Sequence, residues 1–355
     1  MSFLYILLGI FMFGVIILIH EFGHFIFAKA FGVGINEFAI GMGPKLFSKK
    51  GKDEVLYSLR LIPMGGYVSM VGEDEVPDEQ QSHKALCKKP VWQRIIIVCA
   101  GAFMNILLGF ILMGIIVAFS PDDIYSTTIS GFGVRYEDGT NGVIEQWNGL
   151  ESGDTIVKIG NRKINVREDF LYEVMFLKDN PADVTVLRNG ERVVVENVVF
   201  DSYTEDGISF GNAGFIRTTK LDKNFFEIVK QSFCRSVASV RMLWSSIINT
   251  FKGEYGTKAL SGPVGVIEQV EQTAAYGWDK LLFMMVIITL NVGMVNLLPI
   301  PALDGGRLLF MVVELIRGKP ISPKYEGYVH AAGFALLIGL MVFVTYNDIV
   351  KLFTR

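Results

Sequence analysis

The stretch VIILIHEFGHFIFAKAFG, from Val15 to Gly32, decides how this chain is built. It lies in an apolar run long enough to cross a bilayer as a helix, which takes about 20 residues. The run nevertheless contains His20, Glu21 and His24. An ionisable side chain inside a membrane span costs about 2.5 kcal/mol or more, so it marks a functional site by default. The stretch therefore predicts a membrane helix that carries chemistry.

Three more apolar runs are long enough, or nearly so, to span a membrane. With Phe3–Phe27, the predicted spans are Ile95–Phe119, Leu281–Leu298 and Ala331–Val344. The composition agrees, since 51% of the 355 residues are hydrophobic and the mean hydropathy is +0.40. We expect a polytopic α-helical membrane protein with about four transmembrane helices, a membrane-associated β-hairpin and one extracytoplasmic α+β domain.

Other classes of protein find little support in the sequence. The net charge of -3 gives no sign of a nucleic-acid partner. The three cysteines are far apart and have neither the spacing of metal ligands nor that of a disulfide framework. The first span lacks a basic N-terminal region and a small-residue cleavage site, so we expect it to be retained and not removed as a signal peptide.

The basic residues predict the orientation of the chain. Lysines and arginines that flank spans in short loops mark the cytoplasmic side. They are concentrated between the first two spans and directly before the last one: Lys29, Lys45, Lys49, Lys50, Lys52, Arg60, Lys84, Lys88, Lys89, Arg94, Arg307, Arg317, Lys319 and Lys324. We therefore expect both loops in the cytoplasm, and both termini and the long polar insert outside.

The pattern of apolar, polar and turn residues divides the chain into four parts. Residues 1–121 form the N-terminal membrane part and residues 279–355 the C-terminal one. Residues 122–202 contain short strand patterns around one helix, with Asn189-Gly190 in a hairpin turn, which predicts a small α+β domain. Residues 203–278 are expected to be an extracytoplasmic linker. Its amphipathic helix, from Lys223 to Phe251, either lies in the membrane interface or packs on the domain.

The first cytoplasmic loop contains EVLYSLRLIPMGGYVSMVG, residues 54–72, in which apolar and polar positions alternate. Pro63, Gly65 and Gly66 lie at its middle, so the pattern predicts two strands around a turn there. Two interpretations remain open. The hairpin is either a small sheet on the cytoplasmic side of the membrane or an exposed edge that pairs with an extended peptide.

The HEFGH sequence of the first span predicts a metal site. On a helix, His20 and His24 project from one face, one turn apart, which is how H-E-x-x-H presents two imidazoles to one zinc ion. Glu21 falls beside them, close enough to act on a water molecule at the metal without being a ligand. The alternative is that the two histidines line a polar cavity.

A catalytic zinc site normally has three protein ligands. The segment NLLPIPALDGGRLLF, from Asn296 to Phe310, offers the third, because its two prolines break the helix of the third span and Asp304 follows at once. Asp304 either completes a two-histidine, one-carboxylate site or caps the next helix. The other histidines are weaker candidates, since His83 lies in a polar loop and His330 at the start of the last span.

These motifs together resemble the site-2 protease family of intramembrane zinc metalloproteases. The bacterial regulator of sigma-E protease type, with a single PDZ domain, is the better match. The features that carry the resemblance, besides HEFGH and NLLPIPALDGG, are GMGPKLF at 41–47, IPMGGYV at 62–68, CAGAFMN at 99–105, SGPVG at 261–265 and the PDZ-like GLESGDTIVKIGNRKI at 149–164. One departure is Ala102, which stands where the family usually has proline, while Asn105 is present.

The resemblance implies hydrolysis of a peptide bond within the membrane. His20, His24 and Asp304 would bind Zn2+, and Glu21 would be the general base. Asn296 would hydrogen-bond the substrate backbone or the oxyanion, or would satisfy backbone freed by the prolines. The remaining substrate-binding candidates are the predicted hairpin tip: Met64, Gly65, Gly66 and Tyr67.

The implied substrates are single-span membrane proteins in the bacterial plasma membrane, such as anti-sigma factors, remnant signal peptides or pheromone precursors. The PDZ domain would filter substrates by size after a first extracytoplasmic cut, or bind a peptide C-terminus. Two other classes stay open from the sequence: a metal-binding transporter or channel, because intramembrane histidines and broken helices suit a cation path, and an inactive scaffold that binds proteins through its PDZ domain.

Overall fold

A computed structural model describes residues 3–73, 82–135, 141–205, 207–254 and 262–354. The chain forms two compact units. The first combines residues 1–109 with residues 260–355, and the second contains residues 110–259. The helices are α1 (Phe3–Ala30), α2 (Val91–Phe119), α3 (Arg167–Leu177), α4 (Phe225–Phe251), α5 (Pro263–Ala274), α6 (Trp278–Asn296), α7 (Asp304–Arg317) and α8 (Pro323–Thr354).

Four of these helices are long and apolar enough to cross a membrane, which confirms the predicted spans. The qualifying segments are Leu4–Ala30, Val91–Phe119, Trp278–Asn296 and Lys324–Asp348. They are apolar around much of their circumference, as expected for helices whose surroundings are lipid. Each is somewhat longer than, or shifted from, its predicted range, because helices extend beyond the apolar core that a hydropathy pattern detects.

Small residues bring the helices of the first unit close together. A Cβ atom added to Gly23 of α1 would lie 2.7 Å from the carbonyl carbon of Ala100 in α2, so only glycine fits. Gly293 of α6 likewise approaches the carbonyl oxygen of Ala102, which is fully buried. Close backbone approach through small residues is the usual packing of membrane helices. Alanine in place of the family's proline is therefore a packing residue in a continuous helix.

A two-stranded sheet of β1 (Ile35–Lys50) and β2 (Leu56–Met70) follows α1. Residues 35–40 of β1 pair with residues 66–70 at one side and with residues 56–59 at the other. Both strands must therefore bend, and β1 does so at Gly41 and Gly43, which have φ of 84° and 83°. Residues 66–70 of β2, called the edge segment below, form one edge of this sheet.

The predicted position of the turn in this hairpin, at Pro63, Gly65 and Gly66, is wrong. The chain reverses at residues 51–55, where the amide of Gly51 donates to the carbonyl of Val55 at 2.8 Å. Met64, Gly65, Gly66 and Tyr67 lie within β2 instead. The proline and glycines mark the bend where β2 changes its pairing, since breakers inside a strand often mark bulges and bends and not only chain reversals.

The second unit contains a sheet in the order β10-β9-β7-β3-β13, with β4 on β3 and β8 on β7. The remaining strands form two short hairpins, β5-β6 and β11-β12. The strand bounds are β3 (Ile124–Arg135), β4 (Asn141–Ile144), β5 (Gln146–Trp147), β6 (Leu150–Glu151), β7 (Thr155–Ile159), β8 (Arg162–Lys163), β9 (Ala182–Arg188), β10 (Glu191–Val198), β11 (Asp201–Glu205), β12 (Ile208–Asn212) and β13 (Ile216–Leu221). Its core contains the fully buried rings of Phe132, Phe170 and Phe200.

The α+β domain extends further than its predicted end at residue 202. Strand β13 pairs antiparallel with β3, from the Ile216–Phe132 pair to the Leu221–Ile124 pair, and so closes one side of the sheet. The sequence pattern missed this strand because it follows a short hairpin, β11-β12, whose sequence resembles a linker. The domain therefore includes residues up to Leu221.

Helix α4 begins directly after this domain. Its N-cap is Asn224, whose side chain accepts a hydrogen bond from the amide of Glu227 at 2.9 Å. Ion pairs attach α4 to α3, with Arg235 3.1 Å from Glu168 and Arg241 3.4 Å from Asp169. The sequence left two interpretations open for this helix. The structure shows packing on the domain for the part that contains Arg235 and Arg241.

Candidate metal centre

Three side chains converge within the first unit. Nε2 of His20 lies 3.2 Å from Nε2 of His24, and Oδ2 of Asp304 lies 3.1 Å from the first of these nitrogens and 3.3 Å from the second. Ligands that hold zinc tetrahedrally at about 2.0–2.1 Å are separated from one another by about 3.3 Å. The three atoms therefore outline one face of a zinc coordination tetrahedron, and the fourth position remains for water or substrate.

The three atoms are better placed to bind a metal ion than to form hydrogen bonds with one another. Both histidines are buried, with exposed fractions of 8% and 7%. Oδ2 of Asp304 is also buried and has no well-aligned hydrogen bond to any residue that the structure describes, although two ring nitrogens lie close to it. Three lone-pair donors directed at one point are the ligand set expected of a catalytic zinc site.

Backbone and amide groups orient both imidazoles. Nδ1 of His24 lies 2.9 Å from the carbonyl oxygen of Ile97, so the ring donates its Nδ1 proton there and presents a bare Nε2 to the centre. Nδ1 of His20 lies 3.3 Å from the side-chain amide of Asn105, whose buried Oδ1 has no hydrogen-bond partner within the described part of the chain. If that amide is rotated by half a turn, Oδ1 faces Nδ1 of His20 and accepts its proton. The rotation gives Oδ1 a partner and removes the contact between two donors, the ring N–H and the amide NH2.

Asp304 reaches the centre because the chain breaks between α6 and α7. Helix α6 ends at Asn296, and residues 297–303, called the 297–303 turn below, lead into α7. Asp304 is the first residue of α7, and Leu303 occupies the N-cap position without a side-chain hydrogen bond. The carboxylate therefore faces the histidines while its negative charge lies at the positive end of the helix dipole.

Gly101 of α2 faces the two histidine rings directly. A Cβ atom added there would overlap Nε2 of His24 and lie 2.8 Å from Cε1 of His20. Glycine at this position therefore leaves room for the ligand atoms and for an ion between them. Sequence reasoning placed Gly101 in a family motif but did not identify it as part of the site.

Glu21 lies between the metal centre and the sheet. Its carboxylate accepts a hydrogen bond from the backbone of Val68 in the edge segment. The Cγ atom of Glu21 is 3.5 Å from a Cβ position built on Gly66, so the side chain runs along this strand. Glu21 thus lies beside both the candidate metal ligands and the strand edge.

A cavity of about 720 Å³ opens next to the three ligand side chains. One wall is the edge segment, and the other is formed by the start of α7 and by α8. The lining residues besides the ligands are Glu21, Tyr67, Val68, Ser69, Met70, Glu73, Val98, Ala302, Leu303, Arg307, His330, Ala331 and Phe334. Glu73 and Arg307 form an ion pair that links the two walls. Glu73 also accepts the amide of Met70 at 3.2 Å.

The other predicted substrate-binding residues are only partly near this cavity. Tyr67 lines it, and Gly66 contacts Glu21, but Gly65 is not among its described lining residues. The side chain of Met64 lies outside the described structure, as does Ser261 of the SGPVG motif. Asn296 ends α6 and is not part of the described cavity lining.

The two remaining histidines differ from each other in the structure. His83 lies in a short 3-10 helix, Ser82–Lys84, and is exposed. His330 lines the cavity and accepts a hydrogen bond from the backbone of Ala302. His330, which the sequence places at the start of the last span, therefore contacts the turn that leads to Asp304.

Comparison with known proteins agrees with this geometry. The sequence matches peptidase family M50 over residues 8–340. A Clostridium perfringens protein assigned as a zinc metalloprotease is 36% identical over 352 residues, which cover 98% of this chain and 99% of that protein. The zinc metalloprotease RasP of Oceanobacillus iheyensis is 30% identical over 437 residues, covering 97% of this chain and 98% of the relative.

A third relative carries a more specific name. The regulator of sigma-W protease RasP of Bacillus subtilis is 29% identical over 425 residues, covering 97% of this chain and 98% of the relative. The names of these relatives make zinc the expected cofactor of this chain. The protein is an enzyme of the metalloprotease class, and it belongs to peptidase family M50, the site-2 protease family.

Proposed function

We propose that this protein hydrolyses a peptide bond within the transmembrane segment of single-span membrane proteins. The observation that carries the proposal is the cavity between the edge segment and α7. It contains the three candidate zinc ligands, the further carboxylate of Glu21 and a strand edge, all within a unit that includes apolar helices. A protease needs these three elements to bind an extended chain and to attack it.

His20, His24 and Asp304 hold the zinc ion in this proposal. The ion supplies Lewis acidity that polarises a carbonyl group and acidifies water. Glu21 is the general base, which takes a proton from the attacking water and delivers it to the leaving amine. Its position beside the ligands, but outside the ligand set, supports this role.

The edge segment is the proposed binding site for the unwound substrate. In the described part of the chain, no strand pairs with its edge facing the cavity. The amides of Val68 and Met70, two residues apart and therefore on the same edge, donate to the carboxylates of Glu21 and Glu73. A substrate strand would take over these donors by β-augmentation, which binds the backbone whatever the side chains are.

The proposed setting is the plasma membrane of a bacterium, with multiple spans and with both termini and the α+β domain outside. The histidines then lie in the cytoplasmic half of the membrane, so cleavage falls in that half of the substrate. We assign the α+β domain to the PDZ type, on the GLESGD motif and the mixed architecture. Its proposed task is to exclude substrates whose extracytoplasmic part has not yet been shortened by a first protease.

The test of the catalytic proposal is the Glu21→Gln variant of the full-length protein in liposomes. We expect zinc content to stay at one ion per chain while cleavage of a single-span reporter falls about 10²-fold or more. Asp304→Ala should lose both zinc and cleavage. Cleavage by Glu21→Gln at the wild-type rate would refute the mechanism, and zinc transport across the liposome membrane by both proteins would favour the transporter alternative.

The substrates are best found by comparing membrane proteomes. Cells with the active protein and cells with Glu21→Gln should differ in single-span fragments that accumulate only in the variant. Anti-sigma factors, remnant signal peptides and pheromone precursors are the classes we expect. Deletion of residues 124–221 should allow cleavage of reporters with an intact extracytoplasmic domain, and unchanged selectivity would contradict the filter.

A further inference from the structure

The 297–303 turn is held by α8, which the catalytic scheme above does not use. Nδ1 of His330 accepts a hydrogen bond from the backbone amide of Ala302 at 2.9 Å. Ala302 lies two residues before Asp304. The imidazole is mostly buried, with 19% of its side chain exposed, and its Cε1 atom is 3.2 Å from a Cβ position built on Gly306. The ring therefore contacts Ala302, which precedes Asp304 in the sequence, and Gly306, which follows it.

A second residue of α8 contacts the same turn. Gly333 is one helical turn after His330, and a Cβ atom there would lie 2.8 Å from the carbonyl carbon and oxygen of Pro301. Only glycine allows α8 to approach this closely. His330 and Gly333 thus form a continuous contact between α8 and the turn.

The backbone of the turn needs such support. Ala302 has a φ of 72°, in the left-handed region, which costs a residue with a side chain about 1–3 kcal/mol. A strained conformation of this kind persists only where neighbouring contacts fix it. The hydrogen bond to His330 restrains the amide of the strained residue itself.

We propose that His330 is a positioning residue for the metal centre. By fixing the Ala302 amide it sets the direction in which the chain enters α7, and with it the place of the Asp304 carboxylate. The bond requires the proton of His330 on Nε2, because the amide can only donate. The inference rests on the proposed ligand set and adds to it a support supplied by the last membrane helix.

The test compares two substitutions at position 330 of the full-length protein. Asparagine places its Oδ1 near the position of Nδ1 and keeps an acceptor for Ala302, whereas leucine fills the space without one. We expect His330→Leu to weaken zinc binding about 10- to 100-fold, the usual effect of losing an outer support of a metal site. His330→Asn should stay within about threefold of the wild type. Zinc affinity is measured by competition with a chromogenic chelator, and the melting temperature of the zinc-free proteins reports folding.

A matched glycine pair gives a second test that does not alter the imidazole. Gly333→Ala pushes α8 away from Pro301 and should weaken zinc binding. Gly339→Ala on the same helix should not, because no atom of the described residues lies within 4 Å of a Cβ there. If His330→Leu does not fold, this pair still tests whether the contact between α8 and the 297–303 turn supports zinc binding.

The outcomes separate the inference from the proposed ligand set. Equal zinc affinity of wild type and His330→Leu, with loss of zinc in Asp304→Ala, would overturn only the role of His330. An equal loss of zinc affinity in His330→Leu and His330→Asn would also overturn it, because an acceptor for the Ala302 amide would then make no difference. Retention of zinc by Asp304→Ala would refute the ligand set itself.

Discussion

The carboxylate of Glu21 accepts a hydrogen bond from the backbone of Val68. This contact joins the proposed general base to the strand that the substrate is proposed to extend. A substrate backbone that pairs with Val68 must displace the carboxylate. In the proposed mechanism, the binding event that places a scissile bond at the metal centre would therefore release the base toward it, whereas without substrate the base would stay restrained.

The ion pair between Glu73 and Arg307 should control access to the cavity. Glu73→Gln keeps an acceptor for the Met70 amide but loses the charge that attracts Arg307. We expect the KM for a single-span reporter to fall roughly 2- to 10-fold, equivalent to about 0.4–1.4 kcal/mol, with little change in kcat.

The exchange of the two charges provides the control for this prediction. Glu73→Arg combined with Arg307→Glu restores an attractive pair across the cavity. Its KM should lie closer to that of the wild type than to that of Glu73→Gln. A KM that rises in Glu73→Gln would show that the pair assists substrate binding and does not oppose it.

A methyl group at position 101 should prevent metal binding. In Gly101→Ala the new Cβ would occupy the space between the two imidazoles. We expect at least a 100-fold loss of zinc affinity and of reporter cleavage, since the ligand atoms can no longer reach one ion. Gly114→Ala is the control in the same helix, because among the described residues its Cβ would meet only Oγ of Ser232 at 3.9 Å. Normal zinc content in Gly101→Ala would contradict the geometry of the centre.

A polar cluster in the sheet predicts how stability depends on pH. Burial raises the pKa of Glu37, but hydrogen bonds from Ser58, Arg60 and Tyr67 outweigh it and lower the pKa from 4.5 to about 2. Lys45 completes the cluster at 3.2 Å from Glu37. The unfolded chain thus binds more protons than the folded one between these values, so the stabilisation is complete above pH 4.5 and is lost as the pH falls toward 2.

Glu37→Gln tests this dependence. The melting temperature of the wild type should exceed that of the variant near neutral pH, and the difference should shrink over the range from about pH 5 to about pH 2. Circular dichroism in detergent measures both proteins under the same conditions. A difference that is constant across this range would mean that the carboxylate titrates normally in the folded protein.

Asp348 near the end of the last span should stabilise α5. Its Oδ2 accepts the amides of Gly262 and Gly265 at 2.8 and 2.9 Å, at the N-terminus of α5. Asp348→Ala removes both bonds and the favourable charge at the helix end, a loss of about 1–2 kcal/mol. Faster hydrogen exchange in Pro263–Ala274 should follow, with Asn347→Ala as the neighbouring control. Unchanged exchange would mean that other contacts of α5 suffice.

The chemistry that lies within one helical turn could be predicted from the sequence. The spacing of His20 and His24 fixes their common face in any helix, and the apolar run fixes the helix. Asp304 followed from a local signal as well, since two prolines must end α6 shortly before it. These inferences depend on residues that are close to one another in the sequence, so the sequence pattern was sufficient to make them.

Features that depend on distant contacts could not be predicted in this way. The hairpin turn was misplaced because the actual reversal has only one glycine, Gly51, and uses Glu54 at a φ of 66°. Gly101, Asn105 and His330 gave no signal of their own, because each acquires its role only when another helix packs against it. Tertiary packing decides such roles.

The order in which the metal ligands are synthesised has a consequence for the cell. His20 and His24 are synthesised before Asp304 and before α8, whose His330 contacts the turn that precedes this carboxylate. With the proposed ligand set, a nascent chain that has emerged only as far as α6 would hold two of the three ligands. We therefore expect the centre, and with it any proteolytic activity, to form only after Asp304 has entered the membrane.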